Sequence, residues 1–110
     1  MKYKRMPLTK DFKDTVMARA KSDKAFREAL IVEAMNALFD GDVATGKSLI
    51  KDYLNATESF PDVAAKLQKE EKSLRRMLGP SGNPTLTNYV SIIKTCLGFE
   101  HMKLTVSGCK

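Results

Sequence analysis

The sequence is poor in the residues from which most metal and nucleophile sites are built. Its 110 residues include one histidine, His101, two cysteines and no tryptophan. Cys96 and Cys109 do not have the spacing of a zinc or redox motif, and a single histidine does not complete a tetrahedral metal site with them. We therefore expect two free thiols, no metal, no cofactor and no catalytic residues, since nothing local places His101 beside a nucleophile.

Long apolar runs are also absent. No stretch approaches the roughly 18 apolar residues that span a bilayer. The first seven residues carry the basic charge of a signal peptide but lead into the polar Thr9–Asp14 rather than an apolar stretch. The sequence therefore predicts a cytoplasmic protein with no membrane association.

Basic residues outnumber acidic ones. The chain has 19 Lys and Arg against 13 Asp and Glu, a formal net charge of +6, with a pI near 9.4. Basic surfaces release counterions when they meet phosphates, so this balance favours an anionic partner such as nucleic acid. Many basic proteins bind no nucleic acid, so charge alone leaves both interpretations open.

Apolar residues recur at helical spacing along most of the chain. The first two predicted helices carry the stripes Phe12, Val16, Met17, Ala20 and Phe26, Leu30, Ile31, Ala34, Met35, Leu38. Ser22 or Asp23 can cap the second, and Gly41 can end it in a left-handed conformation. Asp42 can then cap a third helix that carries Val43, Leu49, Ile50, Tyr53 and Leu54.

Two shorter helices are predicted between Pro61 and Gly79. Ser59 can cap the first and Pro61 suits its first turn, while Gly79 suits a C-terminal cap and Pro80 prevents continuation. The buried faces are predicted to be Val63, Ala64 and Leu67 on one helix, and Leu74, Met77 and Leu78 on the next.

The remaining sequence predicts a last helix and a strand. Thr85 can cap the helix, and its predicted stripe is Leu86, Tyr89, Val90, Ile93 and Leu97. Met102, Leu104 and Val106 then alternate with polar residues, which predicts a C-terminal β-strand that pairs with a second copy, another protein or the N-terminal residues. The predicted fold is all-α, with five to six helices and this short strand. We expect an N-terminal helical extension over 1–40 and a helix-turn-helix domain over 41–110, packed as one unit.

The two short helices have the spacing of a helix-turn-helix, with Ala64 as the small residue where they cross. In that arrangement the second helix presents Lys72, Ser73, Arg75 and Arg76 to the major groove, with Lys69 and Asn83 near phosphates. An ordinary amphipathic helix pair with a solvated face has the same spacing. Gln68 stands where glycine commonly makes the turn, and Glu70 and Glu71 place negative charge at the start of the second helix.

Three segments resemble lambda-repressor-like regulators of the addiction-module antidote, or antitoxin, type. These segments are Asp62–Leu67, Lys72–Thr85 and Asn88–Ile93. The resemblance spans roughly residues 10 to 107 and is specific between Pro61 and Ile93. It implies that Ser73-Leu-Arg lies on a recognition helix and that Gly82-Asn-Pro forms the following loop. It also implies a dimeric repressor that neutralises a small ribonuclease toxin.

Residues Gly41 to Ser48 match the letters of a phosphate-binding loop, Gly-x-x-x-x-Gly-Lys-Ser. That loop requires a buried strand before it, whereas Ala29–Phe39 has helical spacing. We therefore expect Asp42 to cap a helix, Gly46 to permit a close helix contact, and replacement of Lys47 by alanine to leave the main function intact. No enzyme activity is predicted.

Two hypotheses follow from the sequence. The first is a homodimeric, autorepressing transcriptional regulator that binds a double-stranded DNA operator. The second is a protein-interaction module that holds a toxin with its first two helices and C-terminal strand, with little DNA affinity of its own.

Overall fold

Six α-helices follow one another in the computed structural model, which describes the backbone of residues 10–108 and the side chains from Asp14 onward. The helices are α1 Lys10–Ser22, α2 Lys24–Phe39, α3 Val43–Thr57, α4 Phe60–Leu67, α5 Glu71–Met77 and α6 Leu86–Phe99. The all-α prediction is confirmed. The predicted stripe residue Phe12 lies outside the described side chains.

Three helices begin where the sequence predicts a capping side chain. Asp23 Oδ1 accepts a hydrogen bond from the Phe26 N–H at 3.1 Å, and Asp42 Oδ1 accepts one from the Thr45 N–H at 3.2 Å. Thr85 Oγ1 accepts from the Asn88 N–H at 3.2 Å. Each bond satisfies a backbone donor that the first turn of a helix leaves unpaired.

The start of α4 differs from these three. Ser59 occupies the capping position but makes no capping bond, because its hydroxyl lies 2.6 Å from that of Thr57. Pro61 lies in the first turn as predicted. Phe60 is the first residue of α4 and is 1 % exposed.

Four helices end on a residue with a left-handed backbone. Gly41 ends α2 with φ 87°, as predicted, whereas α3, α4 and α6 end on Glu58, Gln68 and His101 with φ of 55°, 55° and 54°. At the end of α4, the N–H groups of Gln68 and Lys69 donate to Ala65 O and Ala64 O at 3.1 and 2.9 Å. These bonds satisfy terminal carbonyls, and they hold non-glycine residues where glycine is normally preferred.

One hydrophobic cluster joins all six helices. Its largest fully buried side chains include Tyr53, Phe60, Leu30, Leu54, Leu74 and Ile92. The α2–α3 pair packs closely because Gly46 has no side chain: a Cβ there would lie 2.6 Å from Leu38 Cδ2. The prediction that Gly46 permits a close helix contact is confirmed.

The buried face of α6 differs from the predicted stripe. Leu86 and Val90 are 77 % and 56 % exposed, and the buried residues are Ile92, Ile93 and Cys96. Ile93 is buried and Leu97 packs against the core, as predicted. The prediction was wrong for Leu86 and Val90 because apolar residues occur on two adjoining faces of this helix. Its spacing therefore does not say which face meets the core.

Residues 102–108 contain no strand. Met102 and Leu104 are half-buried against the core, whereas Val106 is 91 % exposed. A strand needs the backbone groups of a neighbour, and none of residues 10–108 supplies them. The proposed pairing with residues 1–9 lies outside the described residues.

The contact between α2 and α3 crosses the proposed division at residue 40, and that division stays a prediction. Within residues 10–108, no helix combines the length and the apolar character required to cross a membrane.

Candidate nucleic-acid interface

Helices α4 and α5 are short and are joined by residues 68–70. Val63, Ala64 and Leu74 are at most 3 % exposed, and Leu67 and Met77 pack against the same core. Leu78, which follows α5, is also buried. The predicted inward faces of both helices are therefore confirmed.

The opposite side of α5 is basic and accessible. Lys69, Lys72 and Arg76 are exposed, and Ser73 is partly exposed. None of the three basic side chains makes an ion pair with a residue that the structure describes. Their charge is therefore available to a partner.

Arg75 is held by other residues of the chain. Its guanidinium lies 4.0 Å from the centre of the Phe60 ring, and Nη2 donates to Glu71 Oε2 at 2.9 Å. Nη1 donates to Asn55 Oδ1 at 3.2 Å. Arg75 therefore fastens α5 to α3 and α4, a role that the sequence analysis missed because Asn55 and Phe60 are distant along the chain.

The same contacts assign a role to one of the two acidic residues. Glu71 pairs with Arg75 one helical turn away, so its charge is partly compensated within α5. Glu70 stands at the start of α5 and makes no capping bond with its side chain. Its side chain is exposed and forms no ion pair with a residue that the structure describes.

Asn83 is exposed and belongs to the loop between α5 and α6. This loop approaches the end of α5 so closely at Gly82 that a Cβ there would collide with Arg76 O and Met77 O. A Cβ at Gly79 would lie 3.4 Å from Arg76 O, which is ordinary contact, and Gly79 has no left-handed backbone. The residue that must be glycine is therefore Gly82. As predicted, α5 ends just before Gly79, whose N–H donates to Arg76 O at 3.1 Å, but this end does not require a glycine.

Lys47 holds this loop from the side of α3. It is 7 % exposed, and its Nζ donates to Gly79 O at 3.0 Å and to Gly82 O at 2.5 Å. The segment before Gly41 is the helix α2, as the sequence predicts, so Gly41–Ser48 lacks the strand of a phosphate-binding loop. The Lys47 ammonium satisfies two loop carbonyls, one of which belongs to the residue before Asn83, so Lys47 has a structural role. The prediction that its replacement leaves the main function intact stays a prediction.

A buried ion cluster lies apart from α5. Glu100 receives hydrogen bonds from Tyr53 Oη at 2.7 Å and from Arg27 Nε at 2.9 Å. Lys24 Nζ lies 3.6 Å from Glu100 Oε1. Burial by itself would raise the pKa of Glu100, but the bonds from Tyr53 and Arg27 outweigh it and lower that pKa. The cluster joins α2, α3 and the end of α6.

Cys96 is buried on the inner side of α6. Burial raises the pKa of the Cys96 thiol to about 12, which leaves it protonated and unreactive at neutral pH. His101 is exposed at the end of α6. Residues 14–108 contain no group of three or more His, Cys, Asp or Glu side chains that could hold a metal ion.

No family model, curated protein or solved structure matches this chain.

Proposed function

We propose that this protein is a sequence-specific DNA-binding transcriptional regulator, an autorepressing antitoxin, that reads DNA with α5. In this proposal α4 and α5 form a helix-turn-helix, and Lys72, Ser73 and Arg76 face the major groove. Lys69 and Asn83 contact phosphates. The regulator acts as a homodimer, because two-fold symmetric operators are read by two copies of such a helix pair.

The observation that carries the proposal is the uncompensated basic surface of α5. Lys72 and Arg76 are exposed while Leu74, on the same seven-residue helix, is 0 % exposed. A short helix anchored on one side and basic on the other suits the major groove, where Arg and Lys bind guanine edges and Ser binds bases or phosphates.

Arg75 has a different part in this proposal from the one that the sequence alone favours. Its contacts with Phe60, Glu71 and Asn55 fix the angle of α5 and leave Arg76 as the arginine free to read a base. Replacing Arg76 should therefore change which DNA sequence is preferred, whereas replacing Arg75 should weaken binding through the position of the helix.

A salt series of gel shifts tests this function. The probes are a duplex from the DNA upstream of the protein's own coding sequence and a scrambled duplex of equal length. We expect the upstream duplex to bind at least about 1,000-fold more tightly, and the logarithm of its affinity to fall linearly with the logarithm of salt concentration. No binding at low salt, or affinity indifferent to salt, would contradict the proposal.

Two variants of equal charge sharpen this test. Arg76→Met removes an exposed cation from α5, and Lys21→Met removes one from α1, where Lys21 Nζ lies 3.9 Å from Glu58 Oε2. Loss of one base contact typically costs about 1–3 kcal/mol of binding free energy. We expect that loss for Arg76→Met and little change for Lys21→Met; equal losses would mean that only net charge matters.

A second candidate is an interaction module that neutralises a toxin with little DNA binding. The observation in its favour is the exposure of apolar residues beside the turn between α2 and α3, where Phe39 is 76 % and Val43 is 39 % exposed. Co-expression with the protein of the adjacent reading frame tests it. A complex that Phe39→Glu abolishes, from a chain that binds no upstream DNA, would favour this candidate over the first.

A further inference from the structure

A groove runs along the side of α6 between that helix and the end of α4. It contains about 800 Å³ and continues into the turn that leads to α5. Its walls are Lys66–Lys69 on one side and residues of α6 between Thr87 and Phe99 on the other.

The lining has charge of one sign. It includes three lysines, Lys66, Lys69 and Lys94, and no acidic residue. All three lysines are exposed, and none forms an ion pair with a residue among 14–108. An ion from solution can therefore approach all three without displacing an internal partner.

Helix electrostatics account for only part of this set. Lys66 lies in the last turn of α4, where a cation is favoured by the helix dipole. Lys94 lies in the middle of α6, between Leu86 and Phe99, so the dipole does not explain its position. Its side chain lines the same groove from the opposite wall.

The polar side chains between the lysines are of the kinds that bind phosphates. Protein contacts to the DNA backbone come mainly from Arg, Lys, Ser, Thr, Asn and Gln, and Gln68, Thr87, Asn88 and Ser91 belong to that set. Two lining side chains already make bonds: Asn88 Nδ2 donates to Met77 Sδ at 3.6 Å, and the Thr95 hydroxyl donates to Ser91 O at 2.8 Å. Gly98 has nothing within 4 Å of the position of a Cβ, which leaves the end of the groove open.

We propose that this groove binds the phosphodiester backbone of the DNA beside the segment that α5 reads. Lys69 belongs both to the groove and to the turn before α5, so the two surfaces are continuous. This inference rests on the proposed function and extends it: Lys66, Lys94 and Thr87 become phosphate contacts in addition to the residues around α5.

The test compares two double variants that remove the same charge. One is Lys66→Gln with Lys94→Gln, in the groove. The control is Lys21→Gln with Lys103→Gln, two exposed positions that do not line it. All four side chains are exposed, and thermal unfolding verifies that both variants remain folded. The full chain is titrated with the upstream and scrambled duplexes over a range of salt concentrations.

The logarithm of affinity falls with the logarithm of salt concentration, and each lost phosphate contact makes that slope less steep by about 0.9. We therefore expect the slope of the groove variant to be less steep by about 2. Its affinity for both duplexes should fall roughly tenfold or more, while its preference for the upstream duplex is kept. The control should keep the slope of the unaltered chain to within about 0.5.

The other outcomes separate this inference from the function on which it rests. If the unaltered chain binds DNA and the groove variant behaves as the control does, the inference is overturned while the proposed function stands. If the unaltered chain binds no duplex, both fail. If the groove variant loses preference between the duplexes instead of slope, the groove reads bases and the backbone assignment is wrong.

Discussion

Residues 10–59 and residues 60–99 differ in what their charged side chains do. The first region has eight basic and nine acidic residues, and the second has six basic and three acidic. In the first, Arg27 and Lys24 reach the buried Glu100, and Lys47 binds loop carbonyls. In the second, only Arg75 is in an ion pair among the described residues. Three cations of the first region therefore hold the fold, whereas five of the six basic side chains of the second form no ion pair with a described residue.

This difference shows that the location of unpaired charges indicates a binding surface better than the net charge of +6 does. Counting charges does not distinguish Arg27 from Arg76, because only the fold brings Glu100 to Arg27 from 73 positions away. Between residues 10 and 99, the basic excess lies in residues 60–99, because residues 10–59 have one more acidic than basic residue.

The largest effect should separate the two arginines. Arg27→Met removes a 2.9 Å bond to Glu100, whose side chain is 5 % exposed, so it leaves a buried carboxylate with fewer partners. We expect a loss of about 3 kcal/mol in the free energy of unfolding, measured by urea denaturation. Arg76→Met should change it by less than about 0.5 kcal/mol. Similar losses of stability for the two variants would contradict the different roles assigned to Arg27 and Arg76.

A second pair tests the loop that carries Asn83. Gly82→Ala must displace the backbone at the end of α5, and we expect a loss of about 2–3 kcal/mol in stability, since overpacking typically costs 1–3. Gly79→Ala, three residues earlier, should be nearly neutral. Thermal and urea unfolding measure both, and a tolerated Gly82→Ala would show that the loop does not lie against Arg76 and Met77.

Lys47 should behave as a structural cation of the first region. Lys47→Met keeps the aliphatic part of the side chain but leaves the carbonyls of Gly79 and Gly82 without their charged donor. Hydrogen bonds to charged groups contribute about 1.5–3 kcal/mol, so we expect a loss near 2 kcal/mol and weaker DNA binding through the loop. Lys51→Met, one turn further along α3, serves as the control. Unchanged stability in Lys47→Met would contradict a structural role for Lys47.

The buried cluster should also set a pH dependence. The folded pKa of Glu100 lies below its ordinary value, so its stabilising contribution is fully present above the unfolded pKa and is lost as the pH falls through the folded one. Urea unfolding between pH 3 and pH 7 should show this loss in the unaltered chain. In Glu100→Gln the profile should be flatter, and the same profile in both would contradict the assigned ion cluster.

The smallest effect concerns the turn between α4 and α5. Gln68 has a left-handed backbone, which costs a residue with a Cβ roughly 1–2 kcal/mol. Gln68→Gly should therefore raise the free energy of unfolding by up to about 1 kcal/mol. Ala65→Gly, inside α4, should lower it by about 0.5–1 kcal/mol. Destabilisation by both would mean that the Gln68 side chain supports the turn.

Helix positions and several caps could be predicted from the sequence because they depend on near neighbours. Asp42 reaches Thr45, and Thr85 reaches Asn88, each three residues on. The buried face of α6 could not be predicted in this way, since Leu86, Val90, Ile92 and Ile93 are equally apolar and only packing selects among them.

The candidate site likewise has features that depend on near neighbours and features that depend on distant segments. The exposure of Lys72 and Arg76 follows from helical spacing once Leu74 is placed inward. The capture of Arg75 by Phe60 and Asn55, the role of Lys47 and the groove beside Lys94 depend on contacts between distant segments. Three helices end without glycine, at Glu58, Gln68 and His101. The fold holds these residues in a left-handed conformation that their residue types do not predict.

The difference between residues 10–59 and residues 60–99 is tested most directly by amide NMR shifts on adding the upstream DNA duplex to the full chain. We expect the largest shifts between Lys66 and Lys94, centred on Lys72, Ser73 and Arg76, while residues 24–50 remain unchanged. Shifts concentrated on α2 and α3 around Phe39 and Val43, or no shifts at all, would contradict it.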